Sequence, residues 1–324
     1  MVWILAAIAL VLVGGAIWFV TVGSRSVATL DRVDALYTGG AAELAAGPVQ
    51  FGDHPQQRLF VHRPPAAADA GPLPVMVFIH GGSWRSGDPE PYAFVARNFA
   101  PQGYIVVLAG YRLGPDGQFP GMVEDGAAAL RWITRNISDY GGDPSRIAVT
   151  GHSAGAYNAM MLALDTQWLE AEGLGTDTID AVVGIAGPYD FLPLDSDSTK
   201  AAFGHAEPLE QTQPVNFSRP DAPPVLLMTG DEDTTVLPRH VPTMAQALAE
   251  AGVPETRIRT SIVPGMGHIP IVMALATPFE KDGRVKREIS AFLDQTIGKT
   301  AETERPSLAA NAAPPSAAIQ AENE

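Results

Sequence analysis

The sequence predicts an α/β fold built on a mostly parallel sheet, and three observations predict it. Short apolar runs rich in β-branched residues recur along the chain, helical patterns fall between them, and the runs are apolar nearly throughout. Strands covered by helices on both faces read this way, because neither face meets water.

Residues 2–22, VWILAAIALVLVGGAIWFVTV, carry no ionisable side chain. At ~1.5 Å per helical residue the run reaches roughly 30 Å, the thickness of a bilayer's hydrocarbon core. Residues 1–24 are therefore expected to be a single-pass transmembrane anchor contacting the lipid bilayer. A cleaved signal peptide is the alternative, with Ser26-Val27-Ala28 as its cutting site, although the run is longer than the usual apolar region and no Lys or Arg precedes it. Trp3 and Trp18 suit the two interfaces. The flanking charges leave orientation open, and an extracytoplasmic or periplasmic domain is the expectation because N-terminal anchors usually export the domain attached to them.

Residues 25–49 are expected as a linker or N-terminal segment and 50–298 as one catalytic domain. Within it, QQRLFVHRP (56–64) alternates apolar and polar, as an early antiparallel strand would. The buried strands come next as VMVFI (75–79), YIVVLA (104–109), RIAVTG (146–151), AVVGIA (181–186), PVLLMTG (224–230) and RIRTSIV (257–263). Helices are expected near 91–101, 122–139, 154–164, 238–251 and 284–296. GGDP (141–144) reads as a tight turn before the strand at 146. The Pro-rich connection from 187 to 223 is too long for a simple loop and is a candidate cap. The final stretch, 299–324, is rich in Ala, Pro and Glu and is expected to be a disordered tail, since it offers little burial to offset its ordering entropy.

Composition narrows the chemistry. The 324 residues carry a formal charge of −15, which argues against a nucleic-acid partner and against polyanionic substrates. Cys is absent, so thiol nucleophiles, disulfides, thiolate zinc sites and iron–sulfur clusters are ruled out.

The motif that carries chemistry is TGHSAGA (150–156). Gly151-His152-Ser153-Ala154-Gly155 is G-x-S-x-G, and it lies between a buried strand and a helix, where the turn lifts a serine above the sheet edge. Ser153 is the candidate nucleophile. A serine hydroxyl needs a base, and the base needs an orienting carboxylate. With such an elbow the acid and then the base come after the serine in the chain, each on a loop past a strand's carboxyl end. That order removes His54, His62, His80 and His152, while His205 lies in the candidate cap and His240 begins a helix. His268, in VPGMGHIP after the strand at 257–263, is the candidate base. MTGDEDTTV offers Asp231, Glu232 and Asp233, and Asp233 is the candidate orienter because it comes after the tight turn; Asp190 in GPYD is the reserve. IHGGSWRSG (79–87) supplies glycines that let amides turn inward beside the elbow, so the amides of Gly82, Ser83 and Ala154 are the expected oxyanion hole.

HGGSW, YRL (111–113), FP (119–120) with Asp125 after it, GHSAG, GDEDTTV and GMGH occur in that order. Together they resemble the α/β-hydrolase superfamily in its esterase/lipase branch, which includes hormone-sensitive-lipase-like, feruloyl-esterase-like and kynurenine-formamidase-like enzymes. The resemblance covers roughly residues 50–296. It implies an α/β-hydrolase fold and the same roles for Ser153, Asp233, His268, Gly82, Ser83 and Ala154. Ser83 and Trp84 stand where lipase-like members carry a third glycine. This H-G-G-x-W form is nearer the feruloyl-esterase and formamidase pattern and points away from bulky tertiary-alcohol and long-chain esters. Trp84 is assigned either to a wall of the substrate pocket or to buried packing. Tyr111, Arg112 and Asp125 are expected to form a structural network under the site, His80 to pin its loop, and His152 to neighbour Ser153 in sequence without sharing its role.

The expected activity is hydrolysis of small-molecule carboxylic esters with short or aryl acyl groups through an acyl-enzyme on Ser153, with no metal or organic cofactor required. The alternatives are an amide or formamide hydrolase, and a non-catalytic membrane-tethered binding module on the same fold.

Overall fold

The computed structural model describes residues 27–65 and 71–298. The expected anchor over 2–22 and tail over 299–324 lie outside the described residues. Among the described residues no helix is long and apolar enough to cross a membrane.

Eight strands form one sheet: β1 (Glu43–Gln50), β2 (Arg58–Arg63), β3 (Leu73–Ile79), β4 (Ile105–Ala109), β5 (Gly142–His152), β6 (Ala181–Ile185), β7 (Val225–Gly230) and β8 (Ile258–Val263). Their spatial order is β1-β2-β4-β3-β5-β6-β7-β8. β2 runs antiparallel to β1 and to β4, and the other pairs are parallel. The parallel strands β3 to β7 are buried almost throughout, as their apolar runs require.

Each face of the sheet carries its own apolar layer. On one, α1 (Val27–Thr38), α2 (Ala93–Phe99), α8 (His268–Met273) and α9 (Arg284–Thr296) bury Leu30, Phe94, Phe99, Ile271, Ile289 and Phe292. In α9 the buried Val285, Ile289, Phe292 and Leu293 fall at helical spacing, which is why its seam faces the sheet. On the other face α3 (Gly121–Asn136), α4 (Ala154–Leu164), α5 (Gln167–Ala171), α6 (Asp197–Phe203) and α7 (His240–Glu250) cover the sheet. Every residue of α4 is buried, so the helix that succeeds Ser153 is a rigid central element.

Two sequence expectations are corrected. The linker over 25–49 carries, in its described part, α1 and the edge strand β1, so the folded unit reaches back to Val27. What holds α1 is a buried carboxylate: Asp34, fully inaccessible, accepts from Arg97 Nε at 2.9 Å, from Asn98 Nδ2 at 3.0 Å and from the Thr277 amide at 2.8 Å. The turn expected over 141–144 shrinks to Gly141, and β5 starts at Gly142 because Leu73 already pairs with it there. The connection over 187–223 is pinned to the body: the Ala202 carbonyl accepts from Phe119 N at 3.0 Å and Phe203 is fully buried.

Candidate active site

The carboxyl ends of β3, β5, β7 and β8 deliver four loops to one edge of the sheet. At the end of β5 the chain turns at Ser153, with φ 56° and ψ −120°, before α4 begins. A non-glycine residue there is strained by about 1–3 kcal/mol and persists only where its surroundings enforce it. The enforcement is visible on both sides: Ser153 N donates to Ile185 O at 2.8 Å, and a Cβ on Gly155 would lie 2.1 Å from the Ile79 carbonyl. The G-x-S-x-G spacing is thus a packing requirement, since α4 can start this close to β3 only without a side chain at Gly155.

Ser153 Oγ lies 2.8 Å from His268 Nε2, and His268 Nδ1 lies 2.7 Å from Asp233 Oδ2. A carboxylate only accepts, so the imidazole carries its proton on Nδ1 and presents an unprotonated Nε2 to the serine hydroxyl. Burial works to raise the Asp233 carboxyl, but the bond to His268 and the amides of Val236 (2.9 Å) and Thr235 (2.8 Å) hold it below the usual carboxylate range. Asp233 is therefore fixed through both oxygens: one meets the turn after β7, the other the imidazole. Its neighbour Asp231 accepts from Gly265 N at 2.7 Å, tying that turn to the loop bearing His268. Asp190 does not take part in this relay; its amide donates to His240 Nδ1 at 3.3 Å.

The loop after β3 bends sharply, with positive φ at Gly82 (130°), Ser83 (54°) and Trp84 (58°). A Cβ on Gly82 would lie 1.8 Å from Ser86 O, so only glycine fits. The Gly82 carbonyl accepts from Arg85 N and Ser86 N, both at 3.1 Å, so it is engaged within its own loop. Among the described residues the amides of Gly82, Ser83 and Ala154 meet no protein acceptor. These donors border the cleft that holds Ser153, and the positive end of the α4 dipole adds to them.

Beneath this loop His80 is buried. Its Nδ1 donates to Gly81 O at 2.8 Å, its ring stacks on Tyr111 at 4.6 Å, and its carbonyl accepts from the Tyr111 hydroxyl at 3.0 Å. Burial pushes the imidazole down to about 4, so it is neutral at pH 7 and holds the loop. Asp125 accepts from the Arg112 amide at 2.7 Å and from Gln57 Nε2 at 2.6 Å, completing the network under the site.

Trp84 is packed and also borders the cleft. It is 4% exposed, crosses Phe203 edge-on at 4.7 Å, and donates through Nε1 to Asn158 Oδ1 at 3.2 Å. His152 departs from its expected neutrality to the site: its Nε2 donates to the His268 carbonyl at 3.0 Å, and the two rings lie 4.8 Å apart. Burial, and then the charge His268 would carry, push the His152 imidazole down to about 3, so it stays neutral beside that ring. The position of His152 in the elbow was the only sequence signal for this contact, since its partner lies 116 residues away.

Two cavities meet at Ser153. One, of about 540 Å³, runs between α1 and α8; the other, of about 320 Å³, runs between Trp84, residues 188–199 and the start of α7. Among the described residues no cluster of His, Asp and Glu could hold a metal ion.

Comparison with known proteins places this architecture. The BD-FAE family model matches residues 61–248, more than half of the chain. Esterase LipC of Mycobacterium tuberculosis is 30% identical over 240 residues, covering 68% of this chain and 58% of LipC. Carboxylesterase NlhH of the same species is 44% identical over 104 residues, 32% of each chain. The chain thus spans less than two thirds of the length of these curated relatives. Among solved structures, esterase B from Lactobacillus rhamnosis superposes with a TM-score of 0.67 at 22% identity, over 92% of this chain and 99% of that one. A hyperthermophilic esterase from Pyrobaculum calidifontis gives 0.63 at 22%, over 83% and 92%. At such identities the likeness establishes the fold alone. With an α/β-hydrolase sheet and a family match over most of its central region, the chain belongs to the BD-FAE family of α/β-hydrolase esterase/lipase proteins.

Proposed function

We propose that the protein is a serine hydrolase of carboxylic esters with short or aryl acyl groups. The observation that carries this reading is the unbroken relay from Asp233 through His268 to Ser153 Oγ, ending beside three amides that meet no protein acceptor among the described residues. The names of LipC and NlhH support the reaction class.

In the proposed cycle His268 Nε2 accepts the Ser153 proton as Oγ attacks the ester carbonyl carbon. The carbonyl oxygen becomes an oxyanion that accepts from the amides of Gly82, Ser83 and Ala154; losing one such donor typically raises the barrier by about 2.7–4 kcal/mol. As the ester C–O bond breaks, His268 returns the proton to the leaving alkoxide, and the acyl group stays on Ser153. Water, deprotonated by the same nitrogen, then attacks the acyl carbon; the bond from that carbon to Oγ breaks, Ser153 regains the proton from His268 Nε2, and the acid departs. Asp233 keeps the imidazole in the productive tautomer and offsets its positive charge. No step calls on a metal or an organic cofactor.

Turnover of p-nitrophenyl acetate beside N-formyl aromatic amines, by the wild type and by Ser153→Ala, tests the reading. The expected result is ester hydrolysis that Ser153→Ala abolishes. Preference for the formyl amide would replace it with a formamide hydrolase, and turnover unaffected by Ser153→Ala would end it.

Residues 2–22 are proposed, on their composition alone, to hold the domain at a bilayer. Alkaline carbonate extraction of membranes checks this: retention of the full chain in the pellet supports an anchor, release into the supernatant rejects it.

A further inference from the structure

The two cavities differ in what lines them. The 540 Å³ cavity lies between Val27, Ala28 and Leu30 of α1 and Ile269, Val272 and Met273 of α8, the helix that His268 begins, and is closed by the loop after β3, whose polar members there include Ser86 and Asp88. The 320 Å³ cavity presents Trp84, Phe191 and Leu237 together with Ser196, Arg239 and His240. His240 Nδ1 accepts from the amides of Tyr189 and Asp190, so its remaining ring proton is on Nε2. Ser83, Ser153 and Thr235 border both spaces, so an ester carbon on Ser153 Oγ sits at their junction.

From that carbon the acyl substituent and the leaving oxygen must depart in different directions. The leaving oxygen takes its proton from His268 Nε2, and of the two cavities only the larger is bordered by His268. Resting on the serine-hydrolase reading, we infer that the leaving alcohol seats in the large apolar cavity between α1 and α8 and the acyl group in the smaller, polar-lined one. The substrate class is therefore an ester of a short, hydrogen-bonding acyl group with an unbranched apolar alcohol of medium length. The collapse step balances on this geometry: the C–O bond of the tetrahedral intermediate breaks, its electron pair goes to the alcohol oxygen, and that oxygen gains the proton from Nε2. This also gives α1 a task. The helix is clamped to the body through Asp34, and its first turn becomes the specificity wall.

A two-way ester series on the full-length protein tests the partition by pH-stat. One arm holds the acetyl group and lengthens the alcohol from ethyl to hexyl; the other holds ethanol and lengthens the acyl chain. The expected kcat/KM rises about fourfold per methylene along the alcohol arm, the equivalent of about 0.8 kcal/mol for each buried CH₂, and stays nearly flat along the acyl arm. Val27→Trp and Met273→Trp, on opposite walls, should each lower the hexyl-to-ethyl ratio at least tenfold, whereas Leu237→Trp should lower the butanoyl-to-acetyl ratio instead. The reverse pattern, or both ratios moving together in all three variants, overturns the partition while leaving the serine-hydrolase reading intact. A wild type that cleaves no ester of either arm overturns that reading and the partition with it.

Discussion

Replacing Ser153 by glycine should stabilise the protein relative to replacing it by alanine. Both variants lack Oγ, so the lost hydrogen bond to His268 is common to them and the comparison isolates the backbone. At φ 56° and ψ −120° a residue with a Cβ carries about 1–3 kcal/mol of strain that glycine escapes. Against this, glycine loses roughly 0.4–1 kcal/mol more on folding through the greater freedom of its unfolded chain. The balance favours Ser153→Gly by up to about 2.6 kcal/mol, whereas at an ordinary helical position glycine is the worse residue by roughly 0.5–1 kcal/mol. Urea titrations monitored by tryptophan fluorescence, with equal slopes for the two variants, measure the difference; in melting temperature it amounts to about 2–4 °C per kcal/mol. A Ser153→Gly midpoint at or below that of Ser153→Ala would refute the claim that the fold enforces strain at the elbow.

His152→Leu, which removes the donor to the His268 carbonyl, should lower kcat roughly 10- to 100-fold with little change in KM, and His152→Gln should recover part of the loss; equal rates for wild type and His152→Leu would deny His152 any positioning role. Asp233→Asn should lower kcat about 10⁴-fold, because an amide at that position favours the wrong imidazole tautomer, and steady-state kinetics on p-nitrophenyl acetate reads this directly. Stability should fall on the acid side through four buried imidazoles. Burial, its effect joined by Arg97 at His62, His268 at His152 and Arg239 at His240, lowers His62, His80 and His240 to about 4 and His152 to about 3, from 6.5. Between those values and 6.5 the unfolded chain binds more protons than the folded one, so unfolding free energy drops as pH falls from 6.5 to about 4 and is level above 7. Each group contributes up to roughly 3 kcal/mol, and urea midpoints that do not change between pH 7 and 4.5 would contradict the sign.

Burial decided which elements were legible. β3 to β7 were readable because parallel strands under two helical layers must be apolar on both faces, and the motifs were readable because each sits where such a strand ends. β1 was not: ELAAGPVQ has Gly47 and Pro48 in its middle and lies at the sheet edge, half exposed, so neither composition nor alternation marks it. α1 escaped for a different reason. It buries only Leu30 and Asp34, and its principal anchor is Arg97, 63 residues on, which no local pattern reports. α8 begins at His268 itself and spans six residues, so GMGHIP reads as loop while its side chains form a cavity wall. Likewise the contact of His152 depends on a backbone carbonyl, which carries no residue-type signal.

The most direct measurement is reaction of the protein with a fluorophosphonate, then intact mass and peptide mapping. One adduct per chain on Ser153, absent in Ser153→Ala and formed far more slowly in His268→Ala, is the expected result. An unmodified Ser153 after prolonged exposure, or labelling that persists unchanged without His268, would contradict an activated nucleophile at the sheet edge.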